Sequence, residues 1–268
     1  MGCFCRFGSK IWILVAFLLL TGCGSIYIPH STHGFPAGTG FSRHDVVVAG
    51  KSQSLWVFVP RHYDPHKKYP AVVFLNGLFE AWAGGNGWLS GGLPPVVAQR
   101  ADDWPFVTIF PQSSGSWRGK DRERDVMAAL DYAQNHWSID SDRVILSGLS
   151  FGGHGVWLIG ANHPDRFAAL VPISGPAAYD DVQKLASRPV WAFDYGGDVL
   201  VSSNNSKQMC RQIREHGGDA RVTHFFGVGH DCVDLAVNRS DLIEWMLQQH
   251  RHDAGATHEG KTAALDIK

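Results

Sequence analysis

The chain has almost no net charge. Its 24 Lys and Arg stand against 25 Asp and Glu, a formal charge of −1 over 268 residues. With no basic surplus to neutralise phosphates, the sequence argues against nucleic acid as a partner. Charged residues make up only 18%, below the quarter or so usual in soluble domains, which argues against disorder. No internal repeat is visible, and the 13 Pro and 30 Gly are dispersed, so collagen-like and low-complexity readings fail. Fourteen histidines invite a metal, yet no helix carries H-x-x-x-H or H-E-x-x-H, and a metalloenzyme is rejected. Gly227-Val228-Gly229 is no dinucleotide fingerprint. What the chain does have is core material, at 44% apolar and 12% aromatic. Its length allows two domains, but α/β folds of this size are often single.

The N-terminal segment reads as an address. Arg6 and Lys10 precede the uncharged run Ile11 to Leu20, whose ten residues are too few to span a bilayer. The segment ends Leu20-Thr21-Gly22-Cys23, which resembles the bacterial lipobox. That resemblance implies that residues 1–22 are a lipoprotein signal and that Cys23 becomes the acylated mature N-terminus. The acyl chains would then hold a soluble domain on a membrane. Gly24 is not an inner-membrane retention residue, so the implied address is the outer membrane, facing the periplasm or the exterior. An ordinary signal peptide or an N-terminal anchor helix is the alternative. Cleavage leaves 22 bases against 25 acids, a mature charge of −3. Residues 23–43, rich in Gly, Ser, Thr and Pro, read as lipidated terminus and spacer. Residues 44–251 read as the folded domain, and 252–268 as a polar, disordered tail. Cys210 and Cys232 are the thiols left after processing. An oxidising compartment invites a bond between them, closing a loop of 23 residues and worth roughly 3 kcal/mol. The alternative is two buried free thiols, and neither cysteine has metal-ligand spacing.

Strands and helices alternate along the domain. Residues 44–49 and 54–59 read as a hairpin across Gly50. Continuous apolar runs at 71–75, 106–110 and 144–146 read as strands buried on both faces, and 170–173, 190–193 and 222–226 supply three more strands. Helical spacing marks 121–136, with Val126, Ala129, Leu130 and Ala133 on one face, and further helices are expected at 152–162, 204–216 and 238–250. Apolar strands interleaved with helices predict an α/β fold, a mostly parallel twisted sheet covered on both faces. Only about sixteen residues separate the strands near 173 and 190, too few for a large cap domain.

One turn carries the chemistry. Gly148-Leu149-Ser150-Phe151-Gly152 fits G-x-S-x-G. Composition alone would produce such a match in roughly one chain in five. The context is more specific, because the match directly follows a strand and opens a helix, as a nucleophile elbow requires. The helix that follows points N–H groups at the serine, favouring developing negative charge. A serine hydroxyl needs a base, and the base an orienting acid. The run Asp194-Tyr195-Gly196-Gly197-Asp198 and, later, His230 both follow buried strands at their C-terminal ends, where open α/β sheets place their sites.

These residues resemble the α/β-hydrolase family, and within it the lidless secreted esterases related to polyhydroxybutyrate depolymerases, feruloyl and acetylxylan esterases and dienelactone hydrolases. The likeness covers roughly residues 50 to 250. It rests on FLNG at 74–77, the DVMAALDYA helix, D-x-D-R-V-x-L-S-G-L-S-F-G-G at 140–153, WAF-x4-D at 191–198 and GVGH at 227–230. The resemblance implies Ser150 as nucleophile, Asp198 as acid and His230 as base, and it implies no cofactor. It places the oxyanion hole at the backbone N–H groups of Leu78 and Phe151. Two departures stand out. Asn76-Gly77 replaces the family's His-Gly, although a side-chain change there need not remove a main-chain donor. Asp194-Tyr195 replaces a second His-Gly and creates an alternative acid, Asp194; His224, mid-strand, is the alternative base.

Other residues near this loop have weaker readings. Asn76 either braces the loop or touches substrate. Residues 77–92 hold six glycines and read as a mobile loop, whose Trp82 and Trp88 are candidates for a substrate pocket or for local core. Glu80 reads as solvated surface, the alternative being contact with a polar substrate, and His154 as packed or solvent-facing. The expectation is a serine esterase with an open site suited to extended or polymeric ester substrates, with the membrane reached only through the lipid anchor. A prolyl-oligopeptidase-type peptidase or amidase is the enzyme alternative. A non-catalytic binding lipoprotein with a hydrolase fold is the alternative from another class.

Overall fold

A computed structural model describes residues 34–83, 89–179 and 181–251, with backbone only for 81–83. The lipobox with Cys23, the side chain of Trp82, Trp88 and the tail from 252 lie outside what is described.

Among the described residues, eight strands, numbered in chain order, form a single sheet arranged as β1-β2-β4-β3-β5-β6-β7-β8. The strands are β1 (Gly40–Val48), β2 (Lys51–Val59), β3 (Tyr69–Leu75), β4 (Val107–Pro111), β5 (Ile139–Leu149), β6 (Ala169–Ile173), β7 (Val190–Tyr195) and β8 (Ala220–Phe225). β1 and β2 are antiparallel, and β2 joins β4 antiparallel. All pairings from β4 through β3 to β8 are parallel. The β1–β2 turn pairs Val48 with Lys51 and holds Ala49 and Gly50 at φ 49 and 79. Positive φ at both central residues is the mirror-image turn that matches strand twist. β1 begins at Gly40, so residues 40–43 are strand rather than spacer.

The apolar runs of β3, β4, β6 and β7 became strands because both faces are covered, whereas the edge strand β8 exposes Arg221 and His224. α3 (Lys120–His136), α4 (Phe151–Asn162), α5 (Val182–Leu185) and α6 (Asn204–Glu215) pack on one face, against Ala71, Val73 and Leu75 of β3. α2 (Leu93–Gln99), α7 (Val233–Asn238) and α8 (Leu242–Leu247) pack on the other, against Val72 and Phe74. A further short helix, α1 (Leu78–Ala83), follows β3 directly, inside the segment expected to be loop.

Two expectations are corrected. The helix expected over 238–250 begins earlier and is broken into α7 and α8. Ser240 makes the break: its Oγ donates to Ala236 O at 2.5 Å and accepts the Leu242 N–H at 3.2 Å, so a side chain competes with the helical ladder. The disulfide is absent as well. Cys210 and Cys232 are free and fully buried. Cys210 lies in the core on the α6 face and Cys232 in the core on the α7 face, so the sheet stands between them.

The described chain enters and leaves at the same edge. Gly34 O accepts from Arg61, just past β2, and Arg61 pairs with Asp102 ahead of β4. At the other end Arg251 binds Asp142 early in β5 and the Asp165 carbonyl ahead of β6. Both ends therefore sit where the parallel strands begin.

Candidate active site

The opposite edge, where the parallel strands end, holds the polar residues singled out by the sequence. Ser150 stands alone between β5 and α4 with φ 58 and ψ −115, a backbone region that a residue bearing a Cβ adopts only when its surroundings force it. Its N–H donates to Ile173 O at the end of β6, and its carbonyl accepts from His154 N–H, both at 2.9 Å. The flanking glycines are required by contact. A Cβ at Gly148 would lie 2.6 Å from the Gly152 carbonyl, and one at Gly152 would collide with Leu75 O of β3. Gly153 is hemmed in as well, since its Cβ would lie 2.6 Å from Ile173 O.

His230 and Asp198 are joined directly. His230 Nδ1–H donates to Asp198 Oδ2 at 2.7 Å, and the Asp198 carboxylate is wholly buried. The other carboxylate oxygen accepts the backbone N–H groups of Leu200 and Val201 at 2.8 and 3.0 Å. With Nδ1 carrying the proton, Nε2 is left as the basic nitrogen. His230 is also tied toward the elbow through its main chain. Ser174 Oγ–H donates to His230 O at 2.5 Å, and Ser174 follows Ile173, the partner of Ser150.

The alternative acid and the alternative base pair with each other. Asp194 and His224 stand opposite in the β7–β8 register and bond through Oδ1 and Nδ1. Burial pushes the Asp194 carboxyl pKa up, against the bond and charge of His224 and the nearby Ser206 hydroxyl, while Asp198 adds to the rise. The geometry thus gives two separate Asp–His pairs, and Asp194 belongs to His224.

Leu78 and Phe151 open α1 and α4, so each N–H lacks an intrahelical acceptor. The two loops touch, for a Cβ on Gly77 would lie 3.5 Å from Ser150 Cβ. Asn76 is buried, and its amide is taken up by backbone. Nδ2 donates to Gly77 O and Ser113 O at 2.7 and 3.1 Å, and Oδ1 accepts the Ser113 N–H at 3.2 Å. Trp117 Nε1–H adds a bond to Asn76 O at 2.9 Å. Asn76 therefore braces the loop, and both its amide hydrogens are taken by backbone carbonyls. Glu80 is buried rather than solvated, which corrects its surface reading. His154 is packed: Nδ1–H donates to Pro176 O at 2.9 Å, and burial lowers its pKa.

Residues 114–196 match the prolyl oligopeptidase family, a span that includes the elbow and ends two residues before Asp198. Dipeptidyl-peptidase 5 of Porphyromonas gingivalis is 26% identical over 171 residues, 58% of this chain and 24% of that one. The chain thus spans about a quarter of the length of the curated relatives it matches. Among solved structures, a thermostable esterase superposes with a TM-score of 0.61 at 24% identity, covering 78% of this chain and 63% of the other. A fluorophosphonate-binding serine hydrolase of Staphylococcus aureus gives 0.62 at 15% identity, covering 79% of this chain and all of the other.

The chain has the α/β-hydrolase fold.

In α/β-hydrolase terms, Ser150 occupies the strand-to-helix elbow and the Asp198–His230 pair follows the last two strands. Several residues around it escaped the sequence reading. Ser174 sits in Ile-Ser-Gly at the end of β6, a small polar residue at a strand terminus beside the elbow, and that placement was a usable signal. Ser113 and Trp117 belong to the loop after β4, and only the third dimension brings them to Asn76. Asp231, directly after His230, accepts the backbone N–H groups of Gly92 and Val233, each at 3.0 Å. The loops bearing Asp198 and His230 also expose a run of apolar side chains: Val199, Leu200, Phe226 and Val228.

Proposed function

We propose that the chain is a serine hydrolase that cleaves carboxylic esters through an acyl-enzyme. The observation that carries the reading is the buried Asp198 carboxylate bonded to His230 Nδ1 at 2.7 Å, on the same sheet edge as the strained Ser150. In this mechanism Ser150 Oγ attacks the ester carbonyl while His230 Nε2 takes its proton. Asp198 fixes the imidazole tautomer and stabilises the imidazolium. The tetrahedral oxygen is received by the Leu78 and Phe151 N–H groups, each such donor worth about 2.7–4 kcal/mol in the transition state. His230 then protonates the departing alcohol. Water, activated by the same imidazole, releases the acid and restores Ser150. Ser150 Oγ has no hydrogen bond to His230 among the described residues; nucleophile–base bonds are commonly long without substrate and tighten when it binds.

The short connection between β6 and β7, with only α5 among its described residues, supports an open site for extended or polymeric esters. A second reading, a peptidase or amidase, is favoured by the prolyl oligopeptidase match and the dipeptidyl-peptidase relatives. Turnover of p-nitrophenyl acetate, butyrate and octanoate, beside aminoacyl p-nitroanilides, separates the two. Ester turnover abolished in Ser150→Ala supports the first reading, and amide turnover exceeding ester turnover supports the second. Absence of both would leave a non-catalytic binding protein. Membrane attachment through acylated Cys23 is a separate part of the proposal. It predicts that Cys23→Ser moves the protein from the membrane fraction to the soluble fraction.

A further inference from the structure

We infer that Glu80 and Asp231 form a carboxylate clasp that holds the oxyanion loop against the loop bearing the base, with Glu80 positioning the Leu78 N–H. The inference rests on the serine-hydrolase reading and assigns two residues to which that mechanism gives no task. Glu80 lies two residues beyond Leu78 in α1 and is buried, at 8% exposure. A Cβ on Gly77 would lie 2.6 Å from Glu80 Oε2, and a Cβ on Gly91 would lie 2.6 Å from Oε1. The carboxylate therefore spans two glycine backbones from separate segments, and a side chain at either would have to displace it. The carboxylate is thus held against the Gly77 backbone, at the turn in which Leu78 stands.

The second half of the clasp begins one residue further on. Gly92, left-handed at φ 63 and packed 3.0 Å from the Phe74 ring by its would-be Cβ, donates its N–H to Asp231 Oδ2. Asp231 Oδ1 accepts the Val233 N–H at the start of α7, which fixes the side chain adjoining His230. Contacts thus run from the oxyanion loop through Glu80, Gly91, Gly92 and Asp231 to the base. Burial and the Asp231 charge raise the Glu80 pKa, while its backbone partners and His230 lower it. The two carboxylates and the imidazole are close enough to sense one another.

The test measures kcat and KM on p-nitrophenyl acetate, normalised to serine labelled by a fluorophosphonate, with Tm recorded alongside. Displacing one oxyanion donor should cost less than the 10²–10³ lost on removing it. Glu80→Ala is expected to lower kcat about 30-fold with KM changed less than about twofold, and Glu80→Gln to recover part of the loss. Gly91→Ala pushes the carboxylate aside without altering any charge, and is expected to lower kcat in the same way even if Glu80→Ala folds poorly. Asp231→Asn combined with Glu80→Ala should lose less than the product of the single losses, because both act through one turn. A kcat per labelled serine within twofold of wild type in Glu80→Ala and Gly91→Ala would overturn the inference. So would a fall in Tm or labelled fraction alone, since that would make the clasp only a stabilising contact. Failure of the wild-type protein to label at Ser150 would instead sink the serine-hydrolase reading, and the clasp with it.

Discussion

The Asp198–His230 bond yields the sharpest test of the site. In Asp198→Asn the shape of the side chain is kept but its hydrogen-bonding sense is split. One oxygen already accepts two backbone N–H groups, from Leu200 and Val201, so the amide oxygen must stay there. The NH2 then faces His230 Nδ1, which has to accept instead of donate. The imidazole proton moves to Nε2, and the nitrogen that should take the Ser150 proton no longer can. A tautomer error of this kind in the serine-protease triad costs about 10⁴ in kcat, which corresponds to roughly 5.4 kcal/mol of barrier. Asp194→Asn is the built-in control, because its partner is His224 and the two pairs do not share an imidazole. It should change kcat less than about fivefold. Both variants are to be assayed on p-nitrophenyl acetate at pH 7.5, with circular dichroism to check folding. An Asp198→Asn enzyme retaining more than about a tenth of wild-type kcat would refute the assignment, as would an equal loss in folded Asp194→Asn.

Three further outcomes are expected. Gly152→Ala places a methyl group into the Leu75 carbonyl, a backbone clash worth about 3 kcal/mol or more, so thermal unfolding should show Tm lowered by roughly 6–12 °C. An unchanged Tm would contradict the contact. Burial pushes the Cys210 and Cys232 thiols from 9.0 up to about 12. The neutral thiol is thereby favoured in the folded state, and its contribution to stability is complete below pH 9 and lost as pH rises toward 12. Denaturant midpoints should fall across that window, less steeply in Cys210→Ala, and a thiol reagent should modify neither cysteine until the protein unfolds. Val199 and Val228 are 83% and 79% exposed on the loops bearing Asp198 and His230. Replacing both by Ser should raise KM for p-nitrophenyl octanoate about three- to tenfold and leave the acetate ester within twofold. Equal effects on both esters would remove these residues from substrate binding.

Much of this architecture was legible in the sequence because it is written locally. A strand covered on both faces must be apolar throughout, so FLNG and VILSG announce β3 and β5 without reference to the rest of the chain. The elbow is equally local, since its glycines answer to contacts one strand away. The disulfide expectation failed for the opposite reason. Loop length says nothing about which face of a sheet a cysteine occupies, and α6 and α7 cover different faces. Glu80 was misread because an acidic residue in a glycine-rich segment looks solvated. Its burial depends on Gly77 and Gly91 closing on it from two directions. Ser240 likewise divides a helix through a side-chain bond that periodicity does not register.

Gly34 and Arg251 mark the sheet edge opposite Ser150, beside the starts of β4, β5 and β6. A domain held from that edge is held by its back. The backbone meets the described domain at Gly34 and leaves it at Arg251 on the face opposite the Ser150 elbow. A domain coupled to a surface at Gly34 or Arg251 should accordingly keep its access to bulky, slowly diffusing substrates.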